Sequence, residues 1–512
     1  MTGVDVTGVD VTGTVPEGYL GADARISSGP APELVDAGYA LELADAGLLH
    51  RGLGLADLAQ LLMLVESGVV PAAVGSELAA TLLEWLDVPA EEFPYDAQYG
   101  DAYNSREREL ERRHGATAGW LHTGRTRREA GRIAFRLALR ERLLDLHAAV
   151  GRFVTALTDQ ATTHASTLWA DTTYLQPAQP STFGHYFGAF GEEAARHLDR
   201  LETAYRWADR SPAGVGGVGG TRVPLDRTRL AALLGFTSVG AHTRDIMWAT
   251  DGLVDAVLAA AQAATTADRL AEDLEIFTSP GFGYVELDAS LCRASVLMPQ
   301  KRNPYALAVI RAGAGTLVGR ATGLLVTQRT PSARTDNWLH AYGEVASSLE
   351  LGRRVVSLGA AVVEGLTVDI DALAAAAAGS FTGAADLAEV LVLGNGLDYR
   401  SAYRVVGRAV ADALSAGRPS IEAAELTRLA RELLSIDLEI PAAEVNAALD
   451  PEMILTTRTA LGGSAPARVH DHCATLRQQV DRATAWREAE KARVAAAEHT
   501  LRAAAATLVA GT

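Results

Sequence analysis

Residues Ala294-Ser295-Val296-Leu297-Met298-Pro299-Gln300-Lys301-Arg302-Asn303-Pro304 lie between two stretches of helical periodicity and follow Gly281 and Gly283. Of the 46 Lys and Arg residues in the chain, only Lys301 and Lys491 are lysine. A composition that otherwise settles on arginine therefore keeps a compact, strongly hydrated ammonium at 301. Ser295 precedes it on the same loop. A hydroxyl and an ammonium on a glycine-flanked loop suit a mobile element that moves a proton beside a developing negative charge. Read as local structure alone, the end of the stretch is a helix entry, with Asn303 as N-cap and Pro304 at N1. The interval 279–303 lacks strong periodicity, and a segment this long inside a helical domain is usually functional or disordered.

Helical spacing extends outward from this loop in both directions. Downstream, helices are expected over 304–329 and 337–366. The first carries Gly315, Gly319 and Gly323 on one face, each costing about 1 kcal/mol against Ala in a helix, so close packing in a multi-helix core is expected to offset them. Upstream, helices are expected over 126–165, 182–209 and 243–278. In the first, Ile133, Leu137, Leu144, Val150, Val154 and Leu157 trace an apolar face, and the arginines at 127, 128, 132, 136 and 140 read as a solvated one. Arg127 and Arg128 stand at its start, where a helix N-terminus with guanidinium groups suits an anion. The segment 166–184 reads as a Pro-rich turn. Gly214 to Gly220 holds five glycines, but no Gly-Lys-Ser/Thr follows, so it is not a phosphate loop. No strand-like alternation of any length appears, and the fold class is all-α.

The expected organisation is a disordered tail over 1–20, a helical N-terminal domain over 21–125, a central bundle over 126–367 and a helical C-terminal domain over 368–512. At 512 residues, with 48% hydrophobic and 21% charged residues, the chain can bury large cores. A net charge of −17 disfavours nucleic acid and anionic membranes as partners. No apolar run reaches the ~18 residues of a membrane span, and the N-terminus lacks the features of a signal peptide. Cys292 and Cys473 supply neither a disulfide framework nor a metal cluster, so no metal is expected, and a reducing cytoplasm fits.

The loop resembles the Ser-Ser-x-Met-Pro-x-Lys-x-Asn-Pro signature of the fumarase/aspartase superfamily. Leu121-His122-Thr123-Gly124-Arg125-Thr126-Arg127, Thr173 through Pro180, Leu449-Asp450-Pro451-Glu452 and Gly462-Gly463-Ser464-Ala465-Pro466 resemble motifs of its argininosuccinate lyases. The resemblance implies a three-domain subunit, a homotetramer cored by twenty helices, and active sites shared by three subunits. It also implies cofactor-free elimination from a small succinyl dicarboxylate to give fumarate. Ser295 matches the base, with Lys301 and Asn303 facing the aci-carboxylate. Thr126, Arg127, Arg128, Thr173, Tyr174, Arg244, Met298 and Arg334 are the expected substrate-binding residues. His122, His185 and Asn104 read as structural or supporting residues.

Four departures from the argininosuccinate lyase pattern bear on the substrate. Tyr174 stands where that family has a histidine, and Ala308 where it has the glutamate paired with that histidine. Arg334, Leu339 and Tyr342 replace the Tyr, Gln and Lys that hold the arginine tail. Arg128 replaces an asparagine. The site has gained cations and lost a proton relay, so it suits an anionic substrate whose leaving group departs without a proton. Nitrosuccinate, whose nitrite is a weak base, meets both conditions, and nitrosuccinate lyases of nitrous-acid-forming pathways in antibiotic biosynthesis belong to the same superfamily. Open alternatives are a divergent argininosuccinate lyase, another polycarboxylate lyase or cycloisomerase, and a non-catalytic protein on a lyase scaffold. Arg244 reads equally well as a core ion-pair partner, Arg334 as an interface residue and Tyr174 as packing.

Overall fold

A computed structural model of the protein describes residues 25–330, 333, 338, 341–379 and 381–511. The tail expected over 1–20, together with Arg334 and Leu339, lies outside the described residues. Five helices form the central bundle: α1 Arg127–Thr163, α2 Phe183–Ala208, α3 Asp251–Phe277, α4 Tyr305–Thr327 and α5 Tyr342–Glu364. A sixth, α6 Pro466–Ala510, runs back along the bundle and ends in the N-terminal core, where Leu501 and Ala505 pack among Leu58, Leu61 and Leu78. A smaller core over the C-terminal helices gathers Leu387, Leu391, Val405 and Leu426. The fold is helical, as the periodicity requires.

Helix α1 begins where Thr126 Oγ1 accepts the Glu129 N–H, an N-cap interaction. All six apolar positions read from its sequence are buried. Its arginines depart from expectation, because Arg132, Arg136 and Arg140 are buried rather than solvated. Each has an inward partner that makes burial tolerable. Arg136 lies 4.0 Å over the Trp207 ring and donates to Trp207 O at 2.7 Å, Arg140 pairs with Asp209 at 2.6 Å, and Arg132 lies 4.6 Å over Tyr342.

Helices α1, α3 and α5 run the same way. Arg136 near the start of α1 and Gly252 at the start of α3 both meet Trp207. Further along, Gly359 of α5 lies against Phe153 of α1 and Ala267 of α3. Helix α2 returns between them, entering through Gly184, where a Cβ would lie 2.4 Å from Ala161 O. The helix expected over 243–278 is two, Thr243–Trp248 and α3, because Ala249 is extended between them.

The expected Pro-rich turn is instead an antiparallel hairpin, β1 Leu168–Thr173 with β2 Gln176–Thr182. Proline is admissible there because a two-stranded ribbon consists of edges. Short pairs also join β3 Val285–Leu287 to β6 Leu366–Val368, and β4 Arg293–Ala294 to β5 Arg302–Asn303.

The glycine stripe of α4 has no packing partner within the described chain: a Cβ at Gly315, Gly319 or Gly323 meets nothing within 4 Å. The same helix exposes Val318, Leu325 and Val326. Two helices, Ala46–Glu66 and α4, are long and apolar enough to cross a membrane by length and composition alone, although charged residues interrupt the apolar run in both. The first is mostly buried in the N-terminal core. The second carries Arg311 and Arg320, which are paired with Asp268, Glu272, Glu275 and Glu344.

One buried carboxylate fastens the N-terminal helices to the segment leading into α1. Asp57 accepts from Arg106 at 3.1 Å and from Arg125 at 2.6 Å, and all three side chains are at most 3% exposed. Arg125 also donates to Ala56 O at 2.9 Å. Removing the acid leaves two buried guanidinium groups uncompensated. Asp57→Ala is expected to destabilise the fold by about 3–5 kcal/mol, read as a lowered midpoint in urea unfolding.

Candidate active site

β4 and β5 form the neck of the loop bearing the candidate base. Arg293 pairs with Asn303 and Ala294 with Arg302, leaving 295–301 as the tip. Ser295 Oγ accepts the Met298 N–H at 3.0 Å, and Met298 O accepts the Lys301 N–H at 3.1 Å. Asn303 Nδ2 donates to Arg293 O at 3.1 Å. Neck pairing holds Asn303 in a strand, so it is not the N-cap. That position falls to Pro304, and α4 starts at Tyr305. Arg302 reaches Glu286 and Leu287 O on β3, fastening the neck to the end of the bundle.

The tip itself is open. Val296 and Leu297 are 108% and 83% exposed. Lys301 is exposed, and no carboxylate pairs with it among the described residues. Ala308 is exposed on α4, just beyond the loop. Thr173 and Tyr174 lie at the tip of the β1–β2 hairpin, where Tyr174 is 98% exposed. Tyr174 therefore does no packing within the described chain. Tyr174 and Leu175 have φ of 54° and 60°, a conformation costing non-glycine residues about 1–3 kcal/mol each.

Arg127 and Arg128 stand elsewhere. Helix α1 is 37 residues long, about 55 Å at 1.5 Å per residue, and the hairpin follows its far end. Helix α3 separates Arg244 from the Ser295 loop by about 40 Å in the same way. One chain thus gathers Ser295, Met298, Lys301, Asn303, Thr173 and Tyr174 toward one end of the bundle. Thr126, Arg127, Arg128 and Arg244 lie toward the other.

A half-enclosed cavity of about 70 Å³ opens beside Arg127 and Arg128. It brings in acids that sequence reasoning missed. Arg127 pairs with Asp101 at 3.0 Å and Arg128 with Glu42 at 3.1 Å, and Asp45 lies on the same wall. Burial raises the Glu42 carboxyl, against the pull of Arg128. Nothing in the local sequence links positions 42, 45 and 101 to 127. His122 shares a hydrogen bond with Tyr103 Oη at 2.9 Å and lies 3.1 Å from Glu107, and His185 Nε2 bonds Gly462 O at 3.1 Å. Asn104 Nδ2 donates to Tyr99 O at 2.7 Å.

Comparison with known proteins bears on this arrangement. Residues 63–319 match the family model described as lyase, and residues 381–456 the model described as argininosuccinate lyase C-terminal. The argininosuccinate lyase of Methanoculleus marisnigri is 32% identical over 451 residues, 87% of this chain and 90% of that protein. That of Halobacterium salinarum is 35% identical over 427 residues, 83% of this chain and 86% of that protein. Among solved structures, an EDDS lyase in complex with formate superimposes with a TM-score of 0.84 at 25% identity, covering 94% of this chain and 97% of that one. The 3-carboxy-cis,cis-muconate lactonizing enzyme of Pseudomonas putida, at 20% identity and a TM-score of 0.67, covering 88% of this chain and 100% of that one, shares the fold.

Within the cavity, Asp45 accepts the Gly343 N–H, yet burial pushes its carboxyl up to about 6. The folded chain therefore binds this proton more tightly than the unfolded chain does. The resulting stability is present below the ordinary aspartate range and is lost as pH rises through about 6. Asp45→Asn, which keeps an acceptor for Gly343, is expected to gain thermal stability relative to the parent between pH 4 and 6, as measured by melting curves at each pH.

Proposed function

The chain belongs to the fumarase/aspartase superfamily, in its argininosuccinate-lyase-like branch, and from that premise we propose that it eliminates nitrite from nitrosuccinate to give fumarate. The observation carrying the elimination chemistry is the loop tip: Ser295, Lys301 and Asn303 share one exposed hairpin, with no carboxylate on Lys301 among the described residues.

Ser295 acts as its alkoxide, having given its own proton to water before the tip closes, and takes the proton from the carbon beside a carboxylate to return to the hydroxyl. The electron pair moves onto that carboxylate as a second negative charge, opposite Lys301 and Asn303, which stabilise it as it develops. Collapse of this aci-carboxylate forms the C=C bond, and the C–N pair leaves with nitrite. A serine base demands exclusion of water. The exposed Val296 and Leu297 supply apolar cover for a tip that closes. The leaving group needs no acid, which fits Tyr174 and Ala308 where a His–Glu relay is otherwise expected. Thr126, Arg127, Arg128, Thr173, Arg244, Met298 and Arg334 are the proposed contacts to the carboxylates and the nitro group, and no cofactor takes part.

A second reading, a substrate with an amine or guanidine leaving group, is favoured by one observation. Arg127 and Arg128 already have carboxylate partners, and Asp45 adds a third acid to their cavity. Purified protein given nitrosuccinate or argininosuccinate, with fumarate absorbance and nitrite followed together, separates the readings. Nitrite and fumarate in equal amounts from nitrosuccinate are expected. Fumarate from argininosuccinate alone would sink the assignment. Ser295→Ala is expected to lose turnover by at least about a hundredfold with its assembly unchanged, and full activity in that variant would remove Ser295 as the base.

The active assembly proposed here is a homotetramer of the cytoplasm, in which different subunits bring the two ends of the bundle together. It is supported by the roughly 40–55 Å between those ends and by the uncovered glycine stripe of α4. Gly319→Leu favours the isolated helix by about 1 kcal/mol but fills that stripe. Light scattering is expected to show smaller species with activity lost in parallel.

A further inference from the structure

Glu129 is fully buried at the start of α1. Thr126-x-x-Glu129 has the form of a capping box, in which the glutamate would turn back to the N-cap. Here the carboxylate goes instead into the glycine-rich connector. The Gly214 N–H donates to one oxygen and the Gly216 N–H to the other, both at 2.6 Å, the short distances of charge-assisted bonds. Gly214 and Gly216 have φ of 77° and 60°, which turns their amides inward as a nest for an anion. A Cβ at Gly216 would lie 2.7 Å from Gly220 O. The chain fills this nest with its own carboxylate.

The clasp reaches further than the connector. Val215, between the two held glycines, is buried against Ile246 and Met247. Both belong to the short helix Thr243–Trp248 that carries Arg244. Thr243 Oγ1 also donates to Val218 O at 2.9 Å. On the other side, Thr126 Oγ1 donates to Gly216 O at 3.3 Å, immediately before Arg127 and Arg128. We propose that Glu129 is a positioning residue, clasping the 214–216 connector so that Arg244 is held in register with Arg127 and Arg128. The inference rests on the reading that these arginines hold substrate carboxylates.

Arg125 and Arg227 face the Glu129 carboxylate and, with the two amides, favour its charge, while burial pushes its carboxyl up to about 7. Above that value both oxygens accept. Below it, one oxygen carries a proton toward an amide hydrogen, and one glycine is released. Arg244 is thus held less firmly as pH falls through about 7.

The test is a double-mutant cycle read by calorimetric binding of fumarate, the product common to the readings above, on the assembled protein at pH 8. Glu129→Gln keeps the size but leaves one amide without an acceptor. Expected losses in affinity are about thirtyfold for Arg244→Ala and about tenfold for Glu129→Gln, with the double variant within about twofold of Arg244→Ala alone. Wild-type affinity is expected to fall from pH 8 to 6 more steeply than that of Glu129→Gln, whose remaining pH dependence comes from Asp45 in the same cavity. If Glu129→Gln does not assemble, Glu129→Asp, which retracts the charge by one methylene, enters the same cycle. Additive losses, or an unchanged pH dependence in the Glu129 variant, overturn the clasp. Undiminished fumarate binding by Arg244→Ala overturns instead the substrate role of the arginines.

Discussion

A helix of 37 residues does not fold back on itself, and α1 sets what this chain can and cannot bring together. Its intrahelical hydrogen bonds and a buried face running from Ile133 to Leu157 keep it one continuous helix within the bundle. Groups fixed to its two ends are about 55 Å apart, far beyond the span of a small dicarboxylate. The chemistry proposed for the Ser295 loop and the anion binding proposed for Arg127, Arg128 and Arg244 therefore meet only between copies. The proposed assembly would give the exposed glycine face of α4 and the exposed loop and hairpin tips one shared role, as surfaces and groups that meet a neighbouring copy.

The two ends are built differently, in keeping with the roles proposed for them. At the loop end the candidate catalytic groups lie on exposed tips with few internal bonds, fastened at the neck by Arg302 to Glu286. Such an element can move and exclude water on closing. At the arginine end every element is clamped. Asp57 holds Arg106 and Arg125, Glu129 holds the glycine connector, and Arg136 and Arg140 are buried against Trp207 and Asp209. A binding site for charged groups depends on distances fixed before the ligand arrives, since preorganised charges need no rearrangement at the moment of reaction.

The ion pairs at that end temper the reading of an anion-seeking site. Arginines counted from the sequence are positive charges, whereas arginines beside Asp101 and Glu42 are pairs whose outward field is small. The proposed preference for an anionic substrate therefore calls for cations from a neighbouring copy, or for a substrate carboxylate that displaces Asp101 or Glu42.

Much was legible in the sequence because it is written in local terms. Helical periodicity located α1, α2, α4 and α5 to within a few residues, since burying an apolar face imposes a 3.6-residue repeat. The loop announced itself through one lysine in an arginine-rich chain. Motifs in order along the chain identified the family. What the sequence could not decide was which polar residues meet across long separations. Glu42, Asp45 and Asp101 beside Arg127, and Glu129 inside the glycine connector, are partners chosen by packing, with no local pattern to mark them. The same holds for the arginines expected in solvent, which a neighbouring Trp or Asp drew inside, and for Asn303, taken from the helix cap by strand pairing at the neck. Periodicity and motif are properties of a segment, so the segment carries them, whereas the partner of a charge depends on which elements pack side by side, and only the tertiary structure decided that.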